Sequence, residues 1–319
     1  MLDLNPEQLR LTELFFPYAF GKYSSALQNQ TRFVHYTRAE AGMNILRSKA
    51  VWLRKSSCMN DFTEVEHGLK CLIEGYKGEW GQKLKANLDR IHDGISLEIE
   101  NLFDRWTPHL RWDTYFICLS EHFSTEDTYG RLSMWRAYGA DGGVALVMNN
   151  KPFMSSVQMG AYSSPVAYLD DKQFPEHLRM IAERIEKEAE FLRAVDRDKV
   201  VVAVFNAFRF AAVCTKHPAF FEEQEWRVIH TPAIDPSPHV AKSIESINGV
   251  PQAVYKIGLK DIPEKGFFGI TIPALIDRII IGPAQYPIAI RDAFVALLEE
   301  AGVSDAGSKV LYSTVPLRR

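Results

Sequence analysis

Two short segments of the 319-residue chain concentrate side chains that could recognise a sugar and assist the breaking of a bond at its anomeric carbon. The first is Phe33-Val34-His35-Tyr36-Thr37. Side chains alternate along an extended strand, so His35 and Thr37 share one face while Val34 and Tyr36 share the other. Histidine offers a donor and an acceptor and a threonine hydroxyl offers both, which suits the hydroxyls of a ribose or a carboxamide. The second segment is Phe221 to Ile229, where the same alternation puts Glu223, Glu225 and Arg227 on one face and Trp226 and Val228 on the other. A carboxylate beside a sugar can bind its 2-hydroxyl and stabilise the positive charge that develops as a glycosidic bond breaks. A second carboxylate two residues earlier could orient or deprotonate the incoming nucleophile. The plain alternatives are a satisfied core histidine with a helix-capping threonine, and a solvated strand face whose Glu–Arg pair is worth little.

Arg54 follows Trp52 at the end of a short apolar stretch, where a guanidinium could clamp a pyrophosphate bidentately or simply face solvent. Asn60-Asp61 precedes a helical run and reads as an N-cap with acidic residues at the positive end of the helix dipole. Asp61, Glu64 and His67 lack the spacing of an EF-hand or a zincin, so no metal is expected. The chain has no Gly-x-Gly-x-x-Gly, P-loop or Gly-x-Ser-x-Gly sequence, which argues against dinucleotide-fold oxidoreductases, nucleotide hydrolases and serine hydrolases. Cys58, Cys71, Cys118 and Cys214 lack paired short spacings and read as free thiols.

Several elements must position these residues. Asn5-Pro6-Glu7 predicts a helix start. Thr31 to Thr37 predicts a strand, Ala39 to Lys49 a helix and Val51 to Arg54 a second strand. Apolar spacing near three and four predicts two helices over Thr63 to Phe103, then a buried strand at Tyr115 to Ser120, a short helix around Met134 to Tyr138 and a strand at Val144 to Met148. A second helical block spans Gln173 to Cys214, and strands follow at Glu225 to His230, Ala253 to Leu259, Arg278 to Ile281 and Lys309 to Ser313, with a helix over Ile288 to Ala301. Strands scattered among helices without regular alternation predict an α+β fold. The domain reading is an N-terminal helical segment over residues 1–30 and one domain over 31–319, with helical insertions at about 63–108 and 171–215.

Apolar residues make up 46% and charged residues 24%, as in soluble globular chains, and the formal net charge of −3 gives no global footprint for nucleic acid or an anionic membrane. Nucleic-acid binding would need a local stripe such as Arg131 with Arg136, or Arg32 with Arg54. No apolar stretch reaches the roughly 18 to 20 residues of a membrane span, and the N-terminus lacks a secretory pattern, so a cytoplasmic protein without membrane partners is expected.

Taken in order, His35-Tyr36-Thr37, Trp52-Leu53, Asn60-Asp61 with Glu64, Cys118-Leu119-Ser120-Glu121, Met134-Trp135 with Tyr138 and Gly142-Gly143, Glu223 to Arg227, and Arg278 to Pro283 resemble a bacterial family, domain-of-unknown-function family 2971. That family is similar in turn to ADP-ribosyltransferases. The resemblance implies a fold with two small sheets around a cleft, with NAD as substrate, and two long helical insertions that set substrate choice or cover the cleft. It implies a histidine on the first strand, matched by His35, and a carboxylate on a late strand, matched by Glu225 with Glu223 as the alternative. It also implies an aromatic that packs on the nicotinamide, for which Tyr36, Trp135 and Tyr138 are candidates. His35, Tyr36, Thr37, Arg54, Asn60, Ser120, Trp135 and Tyr138 would then hold NAD, and Glu225 with Glu223 would carry the chemistry. The implied activity is transfer of ADP-ribose to RNA, DNA or protein in phage defence or a toxin–antitoxin conflict, with a neutralising antitoxin as partner. The alternatives are an NAD glycohydrolase and a non-catalytic nucleotide sensor.

Overall fold

Asn5 accepts the Gln8 amide while the Gln8 side chain accepts the Asn5 amide, and Pro6 sits in the first turn, so helix α1 (Pro6–Phe15) begins with a capping box. The structure, a computed structural model, describes residues 4–59, 64–139, 142–157 and 159–316. Pro17 cannot continue α1 and instead starts α2 (Pro17–Gln28), which makes the opening helical segment two helices. The predicted strand–helix–strand unit follows as β1 (Arg32–Arg38), α3 (Ala39–Ser48) and β2 (Ala50–Lys55). The next helical stretch contains three helices where two were expected, α4 (Glu64–Lys77), α5 (Glu79–Ile91) and α6 (Ile95–Trp112). Gly78 and Gly94 interrupt it, the latter at φ 68°.

The chain continues through β3 (Tyr115–His122), α7 (Leu132–Tyr138), β4 (Gly143–Met148), β5 (Tyr162–Pro165) and β6 (Ala167–Tyr168). A second helical block, α8 (Phe174–Lys187), α9 (Ala189–Ala194) and α10 (Arg197–Val213), leads into β7 (Thr215–Lys216), a 3-10 turn over Pro218–Glu223 and β8 (Glu225–His230). The rest is β9 (Val240–Ile247), β10 (Val250–Gly258), α11 (Ile272–Leu275), β11 (Ile276–Ile281), α12 (Pro287–Glu300), α13 (Ala306–Lys309) and β12 (Val310–Tyr312). The fold is mixed α+β.

One ten-stranded sheet runs in the order β12-β11-β4-β1-β3-β2-β10-β9, with β8 on the other edge of β3 and β5 beyond it. The sheet forks at β3. β1 pairs with β3 through Arg32–His122, Phe33–Glu121 and Val34–Ser120, whereas β2 pairs with it through Arg54–Phe116 and Lys55–Tyr115. Among the described residues no strand pairs with Ile117, Cys118 and Leu119 on that edge, so β1 and β2 part there and leave a cleft between them.

The chain packs around two large cores. Phe33, Leu53, Leu119, Leu146, Trp226, Ile279 and Phe294 belong to the core on one face of the sheet. The two helical blocks, distant in sequence, pack together over a second core that includes Leu69, Leu84, Leu88, Ile99, Leu178, Ile185, Val200 and Val204. Gly68 lies so close to α10 that an added Cβ would fall 2.1 Å from the Ala212 carbonyl oxygen.

Candidate active site

The cleft is a cavity of about 490 Å³ whose wall includes His35, Thr37, Arg54, Ser120, Tyr138, Lys216, Glu223 and Glu225. Its size lies within the range of small-molecule sites. His35 and Glu225, far apart in the chain, therefore face one space. β1 brings His35 and Thr37, β2 brings Arg54, β3 forms the floor, and the end of the 3-10 turn with the start of β8 brings the two acids.

At the fork the backbone ladder between β1 and β3 ends, and a side chain takes over. His35 Nδ1 donates to the Cys118 carbonyl oxygen at 2.9 Å. A carbonyl can only accept, so the neutral ring carries its proton on Nδ1 and keeps a free lone pair on Nε2. Burial holds the His35 pKa below its ordinary value, with the Cys118 hydrogen bond opposing part of that shift. Thr37 is half-buried and Ser120 is buried in the same wall.

Glu225 is buried and doubly bound. Arg227 Nε donates to one oxygen at 2.7 Å and Lys216 Nζ to the other at 3.0 Å. Burial alone would raise the carboxyl pKa, but Arg227 and then Lys216 outweigh it and hold Glu225 ionised, down to about 2. The Glu225 amide donates to the Tyr168 hydroxyl at 2.7 Å. Lys216 Nζ also reaches Glu223 at 2.7 Å, so one buried ammonium bridges both acids. Tyr138 donates a long hydrogen bond to Glu223 Oε1 at 3.5 Å. The solvated-face alternative for the Glu–Arg pair is thus overturned, since Lys216, Glu225 and Arg227 are all at most 3% exposed.

Such a cluster is a poor device for stability alone, because desolvating four charges offsets much of their attraction. Buried charges held beside a cavity are the pattern of a functional site. Arg54 adds a further cation. It donates Nη2 to the Cys58 carbonyl at 2.7 Å and Nε to Gln252 at 3.4 Å, and among the described residues it forms no ion pair.

The three candidate aromatics separate. Trp135 is fully buried; its indole donates to the Tyr129 carbonyl at 2.6 Å and its ring packs edge-on to Tyr36 at 4.9 Å. It is a core residue with no surface for a ligand, which corrects its assignment to the site. Tyr36 lines the cleft but is only 5% exposed, and its hydroxyl accepts the Arg131 amide at 2.7 Å, so its place is structural. Tyr138 is half-buried in the cleft wall and leaves an aromatic ring beside Glu223. Asn60 and Asp61 lie outside the described residues. His67 Nε2 donates to the Leu169 carbonyl at 2.9 Å.

Of the arginines that a nucleic-acid stripe could use, Arg131 and Arg136 line one shallow surface hollow, but Arg131 and Arg32 are engaged within the chain. Arg131 is bound to Glu126 at 2.8 Å and donates to the carbonyls of Glu121, Glu222 and Glu223, which ties down the turn carrying Glu223. Arg32 is neutralised by Asp127 and Asp277. Sequence reasoning missed Lys216, Tyr168 and Arg227 as site residues; a lone lysine closing an apolar helical run just before Glu223 was the available signal for Lys216.

A family model described as a protein of unknown function (DUF2971) matches residues 134–228. That stretch runs from α7 to β8 and contains Tyr138, Lys216, Glu223, Glu225 and Arg227. No curated protein and no solved structure matches the chain. Among the described residues no helix is long and apolar enough to cross a membrane, and no disulfide joins the four cysteines.

Proposed function

We propose that this protein is an ADP-ribosyltransferase that binds NAD in the forked cleft, breaks the bond between nicotinamide and ribose, and passes ADP-ribose to a macromolecular acceptor, RNA, DNA or protein. The observation that carries this reading is that His35, Arg54 and Glu225 line one cavity where the sheet divides. A divided sheet around a dinucleotide is also the architecture that the resemblance implies.

In this reading the His35 Nε2 lone pair and the Thr37 hydroxyl orient the nicotinamide ribose, Arg54 faces the pyrophosphate and Tyr138 packs against the nicotinamide ring. The bond from the ribose C1′ to the nicotinamide nitrogen breaks with its electron pair leaving on nicotinamide. The ionised Glu225 stabilises the oxocarbenium-like ribose that results. Glu223 takes the proton of the acceptor nucleophile as that nucleophile bonds to C1′. Lys216 and Arg227 hold Glu225 in place and charged, so no reorganisation is needed as positive charge develops.

Incubation with NAD and chromatographic measurement of free nicotinamide tests this reading. Wild-type protein is expected to release nicotinamide, and Glu225→Gln to lose that activity by about a hundredfold or more. No release, or full activity in both Glu225→Gln and Glu223→Gln, overturns it. Labelled ADP-ribose should become acid-insoluble with the acceptor; label that stays free in solution with normal nicotinamide release identifies a glycohydrolase instead.

A further inference from the structure

A second cavity lies against the opposite face of the sheet. It has a volume of about 300 Å³, and Phe16, Phe20 and Tyr23, Leu146, Val228 and Ile257 are among its lining residues. The space opens partly to solvent and is far larger than the voids that native packing leaves between side chains. Among the described residues no aspartate, glutamate, lysine or arginine lines it.

Several polar groups in its wall are turned to the chain itself. Tyr23 donates to the Ser163 carbonyl, Thr12 to the Gln8 carbonyl at 2.8 Å, Ser164 to the Pro165 carbonyl at 3.2 Å and His35 to Cys118 at 2.9 Å. Among the described residues the Ser156 and Ser163 hydroxyls and His35 Nε2 have no partner within the chain, and the rest of the wall is almost wholly apolar, so few sites are left to hold water there. The cavity is therefore suited to an uncharged, mostly apolar occupant. His35, Ile45, Ile117 and Leu119 line both this cavity and the polar cleft, so the two spaces stand back to back across the fork.

We propose that this cavity is a binding site for an uncharged hydrophobic small molecule bearing a hydrocarbon chain, separate from the dinucleotide proposed for the polar cleft. The full chain can be titrated with n-hexanol, n-octanol and n-decanol, with binding followed by calorimetry and by the shift in melting temperature. Affinity is expected to rise about fourfold for each added methylene, the increment of full burial, and to stop rising once the chain outgrows the cavity. Decanoate is expected to bind more than tenfold more weakly than n-decanol because the wall offers no cation.

Ala19→Phe on α2 fills the space and is expected to abolish alkanol binding while the protein keeps a cooperative melt. Ala161→Phe fills it from the segment before β5 and serves if the first variant does not fold. Absence of saturable binding to wild type, growth of affinity with no chain-length limit, equal binding of decanoate, or unchanged binding in a folded filled variant each overturns the proposal. Because the readout is binding alone, failure here leaves the nicotinamide-release test untouched, and the converse also holds.

Discussion

Lys216 Nζ touches Glu223 and Glu225 together, so removing its charge leaves two acids less well compensated at once. Lys216→Met keeps the apolar stem and deletes the ammonium. Breaking a buried pair in this way typically costs about 3–5 kcal/mol, and urea unfolding is expected to show a loss of that order. The same change removes one of the two cations that hold Glu225 below the usual carboxylate range. The acid limb of the pH–activity profile should then move to higher pH, with partial return in Lys216→Arg. A variant that is destabilised but keeps the wild-type acid limb would show that Lys216 supports the fold and not the charge state of Glu225.

The histidines give a second prediction at this scale. His35 and His230 are held neutral by burial and hydrogen-bond the Cys118 and Gly160 carbonyls, and burial lowers His177 to about 4. A group whose pKa is depressed by folding stabilises the fold fully above its unfolded value and loses that contribution as pH falls toward its folded value. With an unfolded histidine pKa of about 6.5, the melting temperature should begin to fall below that pH, before most carboxylates titrate. Glu225 adds its loss later, between the ordinary carboxylate value and about 2. Melting temperatures constant from neutral pH down to the carboxylate range would contradict the first step. At this scale sequence alternation grouped Glu223, Glu225 and Arg227 and singled out His35, but it could not show burial. Trp135 and Tyr138 are three residues apart on one short helix, and only packing decides that one is core and the other faces the cleft.

Elements position Tyr138 through glycines that let Trp135 seat. A Cβ added at Gly282 would stand 2.8 Å from the Trp135 ring and 3.1 Å from the Gly143 carbonyl oxygen. Gly282→Ala is therefore expected to push α7 off the sheet, at a cost of about 1–3 kcal/mol measured by denaturant unfolding, and to weaken binding of the cleft ligand through Tyr138. Unchanged stability would mean that the indole has room to move. The elements that were legible share strong local signals: the Asn5 cap, the β-branched run of β1 and the 3.6-residue spacing of α12. α6 extends past the predicted end at Phe103 and through Pro108 to Trp112 because its apolar face, with Leu110 fully buried, outweighs the lost backbone hydrogen bond. β9 was not read as a strand because its hairpin projects from the sheet edge and leaves Ile244 66% exposed, which removes the apolar alternation. Its clearest signal was the turn: Asn248-Gly249, with both residues at positive φ, is a typical two-residue hairpin connection.

Across the whole molecule, the helical layer and the cleft are one mechanical unit because α10 runs directly into the strand that carries Lys216. The sequence showed two helical blocks but not that they pack on each other, since that pairing joins residues far apart in the chain, such as Asn87 and Ala182, 95 positions apart. Gly68 on α4 lies directly against α10, and an added Cβ would meet the Ala212 carbonyl oxygen at 2.1 Å and that of Ala211 at 3.1 Å. Both are backbone atoms of α10, which cannot rotate away, so Gly68→Ala must displace one helix from the other. The expected loss is about 1–3 kcal/mol, offset only in part by the gain in helix propensity. Ala212 lies four residues before Lys216, so the same displacement should move the ammonium from Glu225 and lower nicotinamide release, although residue 68 is not in the cleft wall. Gly21→Ala on α2 is the matched control: no atom lies within 4 Å of its added Cβ, and helix propensity alone should raise stability by about 0.5–1 kcal/mol. If Gly68→Ala loses stability yet releases nicotinamide at the wild-type rate per folded molecule, the helical layer supports the fold without setting the geometry of the acids.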